Sequence, residues 1–205
     1  MAIIDFGDNI VGIATTVINS LVHNKRRFCP PKNSPEKDLV MTPEYLAKDI
    51  INHFNPTGKI LDPSRGNGAF YDNYPTDNKD WCELGENKDF LTYSDKVDWI
   101  ITNPPWSLMQ KFLEHGMKIA DNIVYLTTIN HYTTKKRIRD MREYGFGIKE
   151  FYCVDTPSKP WPQLGFQLAA VHTQRGWGGG ITMSYSDVTI KNVSQDVETP
   201  LTRLL

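Results

Sequence analysis

Cysteine is scarce in this 205-residue chain: Cys29, Cys82 and Cys153 stand more than fifty positions apart and form no Cys-x-x-Cys pair. That argues against a disulfide framework or a zinc ribbon and implies a reducing, intracellular setting, most simply the cytoplasm. Neither sign of charge is in excess, because 23 Lys plus Arg face 24 Asp plus Glu and leave a net charge of −1. No global positive field gathers nucleic acid, so any such binding needs a local patch. No apolar run approaches the about 18 residues of a membrane span, and Asp5 and Asp8 stand where a signal peptide carries positive charge. An exported or membrane-spanning protein is not expected. The five histidines show neither His-x-x-x-His nor His-Glu-x-x-His spacing, so no metal site is expected either. Repeats and low-complexity tracts are absent. What remains, 40% hydrophobic and 23% charged residues, is the composition of one compact domain.

Along the chain, Ile10, Ile13, Ala14, Val17, Ile18, Leu21 and Val22 recur at helical spacing and predict an amphipathic helix. Residues 23–40, with Lys25-Arg26-Arg27, Pro30-Pro31 and Pro35, read as a flexible linker. Thr42-Pro43-Glu44 then supplies an N-cap, a proline at the first helical position and an early acid, ahead of Tyr45, Leu46, Ile50, Ile51 and Phe54. Beyond Gly58 short apolar runs alternate with amphipathic segments. Strands are predicted over 59–62, 81–84, 97–102, 123–128, 149–154, 167–172 and 181–188, and helices over 108–120 and 134–144. The pattern predicts an α/β fold, a Rossmann-like doubly wound and mostly parallel sheet with an N-terminal helical extension. The expected organisation is a helix and linker over 1–40, the main domain over 41–176, and a terminal strand and tail over 177–205.

Three stretches carry chemistry. In Ile60-Leu61-Asp62-Pro63-Ser64-Arg65-Gly66-Asn67-Gly68, an apolar strand enters a glycine turn at the end of the first strand, where doubly wound sheets bind ligands. The full Gly-x-Gly-x-x-Gly fingerprint is missing, since Tyr71 takes the third glycine position, and an ordinary tight turn reads equally well. Glu83 follows Asp62 by 21 residues, about the spacing of an acid that takes the ribose hydroxyls of a nucleoside. A solvated strand-end carboxylate is the alternative. Asp89 could bond a purine amine and Phe90 stack on its ring, or the pair is a turn acid beside a core aromatic.

The third stretch, Asn103-Pro104-Pro105-Trp106, directly follows the apolar run Val97–Thr102. Two prolines fix an extended corner that lacks N–H donors and presents carbonyls. The Asn side-chain oxygen and the first proline carbonyl can accept both hydrogens of an exocyclic amine while the aromatic ring stacks on a flat base.

On these residues the chain resembles the class I S-adenosylmethionine-dependent methyltransferases, and within them the DNA adenine-N6 enzymes. The resemblance runs from residue 42 to about 175. Thr42 and Pro43 are similar to the element flanking the methionine part of the cofactor, and Asp62, Pro63, Gly66 and Gly68 to its glycine loop. Glu83 is similar to the ribose acid, Asp89 and Phe90 to the adenine-contacting pair, and Asn103, Pro104, Pro105 and Trp106 to the catalytic motif of EcoRI-type adenine methylases. The resemblance implies S-adenosylmethionine as cofactor, no metal, base flipping, and DNA as partner, as in restriction–modification enzymes, with the protein a monomer or homodimer. Trp106 departs from the commoner Tyr or Phe. Arg65, inside the glycine loop, either binds the cofactor carboxylate or faces solvent. No separable target-recognition module is visible, which implies a short or degenerate target. Asn-Pro-Pro also occurs in methylators of RNA and of ribosomal and protein-glutamine amides, so RNA as substrate, or a cofactor-binding subunit without catalysis, stays open. Lys135, Lys136, Arg137, Arg139 and Arg142 fall within eight residues and read as phosphate contacts or as a solvated helix face. Trp161 and Phe166, before the last main strand, read as base contacts or as core.

Overall fold

The computed structural model describes residues 40–163 and 165–187. The amphipathic segment 10–22, the basic linker up to residue 39 and the tail from Val188 lie outside the described residues.

Seven strands form one sheet in the order β2-β1-β3-β4-β6-β5-β7. They are β1 (Ile60–Asp62), β2 (Lys79–Trp81), β3 (Val97–Thr102), β4 (Ala120–Thr128), β5 (Phe146–Val154), β6 (Leu168–Arg175) and β7 (Thr182–Tyr185). The β2-β1-β3-β4 pairs and the β5-β7 pair are parallel, whereas β6 runs antiparallel to both β4 and β5. The sheet is therefore parallel apart from one reversed strand.

Helices cover both faces because the inner strands are apolar on both. Successive residues alternate between two buried clusters, as the pleat requires. Ile60, Ile101, Val124, Leu126 and Ala170 pack with Leu46, Ala47, Ile50 and Ile51 of α1 (Glu44–Phe54). Leu61, Ile100, Ile123, Tyr125 and Val171 pack with Phe112, Leu113 and Met117 of α2 (Met109–Ile119) and with Met141 of α3 (Lys135–Glu143). Helix α2 lies close to the sheet at Gly116, where a Cβ would come within 3.1 Å of the Tyr125 hydroxyl and 3.2 Å of Ile123.

Several boundaries differ from the sequence reading for local reasons. Pro43 is the N-cap residue rather than the first helical one: its ψ of 139° is extended, and its carbonyl accepts the first helical N–H bonds. Thr42 is buried instead of capping. Strand β2 ends at Trp81, although the Cys82 N–H still bonds the Asp62 carbonyl at 2.8 Å, so Glu83 sits just past the ladder. Strands β4, β5 and β6 are longer than expected. Their extra residues break the apolar alternation, through exposed Asp121, through a bulge between Ile148 and Glu150, and through polar Thr173 and Gln174. Helix α3 starts one residue later than expected because Thr134 is its cap: the Thr134 hydroxyl accepts the Arg137 N–H at 3.2 Å.

Candidate active site

Because β2, β1, β3 and β4 run in parallel, their C-terminal ends meet at one edge and deliver Glu83, Asp62, Asn103 and the segment following Thr128 there. Asp62 is fully buried at the end of β1. One of its oxygens accepts from the Thr102 hydroxyl at 2.7 Å and the Ser64 N–H at 3.2 Å, and the other, Oδ2, is buried without a partner among the described residues. Buried Pro63 follows and adds no donor. The Ser64 hydroxyl ties the loop to β3, 3.0 Å from Thr102 Oγ1 and 3.1 Å from the Asn103 carbonyl, to which it donates.

The glycines answer to geometry. Gly66 and Gly68 have φ of +54° and +89°, and a Cβ on Gly68 would stand 2.4 Å from the Asp72 carboxylate. The Gly66 N–H donates to Glu83 Oε2 at 2.8 Å, and the Gly85 N–H lies 3.3 Å from Oε1. Glu83 thus braces the glycine loop across the crevice. Arg65 stacks over the Trp81 ring at 4.0 Å and pairs with Glu86 at 2.9 Å.

From the other side, residues 40–42 pass over the same edge. A Cβ on Gly66 would meet Met41 Sδ at 3.2 Å, and the Asn103 side-chain amide donates to the Val40 carbonyl at 3.0 Å. Nothing in the sequence singled out Val40 or Met41, because their roles are a backbone carbonyl and a van der Waals contact. That amide bond fixes the orientation of Asn103, leaving Oδ1 buried with no partner among the described residues. Pro104 is buried, Pro105 keeps an extended ψ of 116°, and Trp106 begins a short 3-10 turn. The Trp106 indole donates to the Leu126 carbonyl at 3.2 Å, and the ring meets His131 edge to face at 5.8 Å. His131 is held by Thr127 at 2.9 Å. Burial, and then Arg137, keep its imidazole below the usual histidine range.

Most of the other candidate residues have partners of their own. Asp89 caps a 3-10 turn through the Leu91 N–H at 2.9 Å. Phe90 is 2% exposed and packs on Phe112 and His115 at 4.8 Å, so its ring belongs to the core. Trp161 is buried in the α1-side core, whereas Phe166 is exposed. In the basic stretch, Lys136 pairs with Asp140, and Arg139 lies 3.8 Å from both Asp140 and Glu143. The Arg137 Nε–H donates to the His131 carbonyl at 3.2 Å, which folds that side chain against the loop. Lys135 and Arg142 make no ion pair among the described residues.

Burial pushes the Asp62 carboxyl up to about 7, against the pull of the Thr102 and Ser64 bonds. Between about pH 4 and 7 the native state then holds a proton that the unfolded chain has released, so this group lowers stability as pH rises through that window. Asp62→Asn is expected to stabilise the ligand-free protein at pH 8, by at most about 4 kcal/mol, with the gain vanishing near pH 4. Urea midpoints at the two pH values check this; a gain that is the same at both would exclude titration of Asp62 as its cause.

No family model matches the sequence, and no curated protein matches it. Similarity lies among solved structures. A candidate RNA methyltransferase from Pyrococcus horikoshii is similar at a TM-score of 0.50, over 70% of this chain and 91% of that one, with 14% identity. The modification subunit of a candidate type I restriction enzyme from Vibrio vulnificus gives 0.54 over 90% of this chain at 12% identity, the chain spanning 53% of that subunit. A candidate class I S-adenosylmethionine-dependent methyltransferase from Listeria monocytogenes gives 0.51, over 92% of this chain and 77% of that one, at 11% identity. At such identities the likeness is one of architecture, and what it establishes is that this chain has the class I S-adenosylmethionine-dependent methyltransferase fold.

Proposed function

We propose that the protein methylates the exocyclic N6 of an adenine in DNA, using S-adenosylmethionine. The observation that carries this reading is Asn103 Oδ1, an acceptor buried without a partner beside a donor-free proline corner. Leaving such an atom unpaired costs about 1 to 3 kcal/mol, and an amine hydrogen of the acceptor base would satisfy it. The second orphan, Asp62 Oδ2, fits the cationic amino group of the cofactor's methionine part, and Glu83 fits its ribose. Bound there, the cofactor supplies an electrophilic methyl on a sulfonium. Pro104 contributes a second acceptor carbonyl, and the fixed Trp106 ring a stacking surface for the base. Together these groups align the amine and accept its developing positive charge, which is electrostatic preorganisation. A base within a duplex cannot enter such a corner, so it must be flipped out.

Phe90, as a core residue, supports the adenine side of this cofactor site from beneath, and Asp89 is left as the group on that side. Thr42 and Pro43 anchor the segment that crosses the glycine loop. For the substrate, the charge distribution favours the α3 side, since residues 68–99 hold eight acids against three lysines. The test is transfer of labelled methyl to duplex DNA, single-stranded DNA, RNA and protein, followed by nucleoside analysis. N6-methyladenine in DNA is expected. Label appearing in RNA alone would overturn the DNA assignment, and no transfer to any acceptor would overturn the activity.

Charge removal tests the substrate side. Lys135 and Lys136 lie at the start of α3, at the same sheet edge as Asn103, whereas Arg137 is committed to the loop. Lys136 is already paired with Asp140, so neutralising both lysines is expected to make the logarithmic salt slope of DNA binding shallower by about one to two units. An unchanged slope would return them to a solvated face.

A further inference from the structure

Away from the Asn103 corner, a groove runs along α3. One hollow of about 480 Å³ is lined by Lys135, Ile138, Arg139, Arg142 and Glu143, and a second of about 310 Å³ shares Ile138 and Arg142 and reaches Phe146, Trp177 and Ile181. Positions 135, 138, 139 and 142 recur at helical spacing, so one face of α3 forms the wall. The floor continues over β7. In the parallel register Met183 lies beside Phe151 and Tyr185 beside Cys153, and both partners belong to the cluster that packs under α3. Met183 and Tyr185 therefore share the α3 face. Ile181, Met183 and Tyr185 are 57%, 52% and 62% exposed and form an apolar row on this face.

We propose that this groove binds a single strand of nucleic acid outside the reacting base. Three cations against one acid line the α3 wall, and Lys135 and Arg142 have no ion pair among the described residues, so their charge is available to phosphates. The Trp177 indole donates to the Gly180 carbonyl at 3.3 Å and has Lys149 Nζ 5.1 Å from its ring centroid, which fixes the ring where it lines the second hollow. Fixed aromatics beside a cationic wall are how single strands are bound without sequence preference, bases on rings and phosphates on cations. The groove also reaches the sheet edge that holds the site: Lys135 begins α3 at the strand-end edge of Asn103, and Tyr185 ends β7 at the same edge. A duplex would present its stacked bases edge-on and leave the apolar floor uncovered.

The inference rests on the nucleic-acid reading above only for the identity of the ligand, and its test needs no cofactor. Fluorescence anisotropy with the full chain would compare a labelled mixed-sequence single-stranded dodecamer, the matching duplex, and an acidic amphipathic helical peptide. The single strand is expected to bind more tightly than the duplex. Arg142→Glu and Tyr185→Ala are each expected to weaken it about tenfold, and Arg142→Lys to keep most of the affinity; thermal melts would verify that each variant is folded. Single-strand affinity unaltered by Arg142→Glu would overturn the proposal, as would binding of the acidic peptide with no binding of the strand. If the strand binds here while no acceptor is ever methylated, the groove stands and the proposed activity falls; methylation with an inert groove gives the reverse.

Discussion

Replacing Asn103 by alanine is expected to reduce methyl transfer at least about a hundredfold while leaving cofactor affinity nearly unchanged. The magnitude is that of losing one preorganised electrostatic contact in a water-poor site. The separation of effects follows from the structure: the bond by which Asn103 holds the glycine loop directly is made by its backbone carbonyl, to which Ser64 donates at 3.1 Å and which alanine keeps. What alanine removes is Oδ1, the orphaned acceptor, and the side-chain bond to the Val40 carbonyl. Asn103→Asp separates these two losses, because it keeps an acceptor but can no longer donate to Val40. Appreciable turnover in the aspartate variant with none in the alanine variant would assign the effect to the acceptor. Unaltered turnover in Asn103→Ala, measured with saturating labelled cofactor, would falsify the catalytic role.

Glu83→Ala should weaken S-adenosylmethionine binding by roughly two orders of magnitude. Two charge-assisted bonds to ribose hydroxyls, at about 1.5 to 3 kcal/mol each, set the lower end of that scale. The structure adds a second contribution. Glu83 also receives the Gly66 and Gly85 N–H groups, so its removal frees the glycine loop at the point where Gly66 holds a positive φ. Glu83→Gln retains neutral acceptors for these donors and is expected to bind with intermediate affinity. Isothermal calorimetry on the three proteins measures the ranking. Wild-type protein that takes up no heat from the cofactor at any concentration would sink the cofactor assignment, and with it the reading of the whole crevice.

The parts of this protein legible in its sequence are those written within a few adjacent residues. The glycine turn after Asp62 is one, because a positive φ at Gly66 and Gly68 is a local demand. The Asn-Pro-Pro corner is another, since proline fixes the backbone whatever surrounds it. The two-faced apolar runs of Ile60-Leu61, Ile100-Ile101 and Ile123-Val124-Tyr125-Leu126 already require a sheet covered on both sides, and a mostly parallel one. Tertiary structure alone decided which distant groups complete the site. Asn103 is oriented by the carbonyl of Val40, 63 positions earlier, and Glu83 braces Gly66 across 17. Phe90 became core and Arg65 turned to Trp81 because each found a partner on another element. The reversal of β6 between β4 and β5 is likewise invisible in the text, since an apolar strand reads the same in either direction. Local backbone demands are encoded by residue type, whereas pairing between distant elements is chosen by the packing of the whole chain.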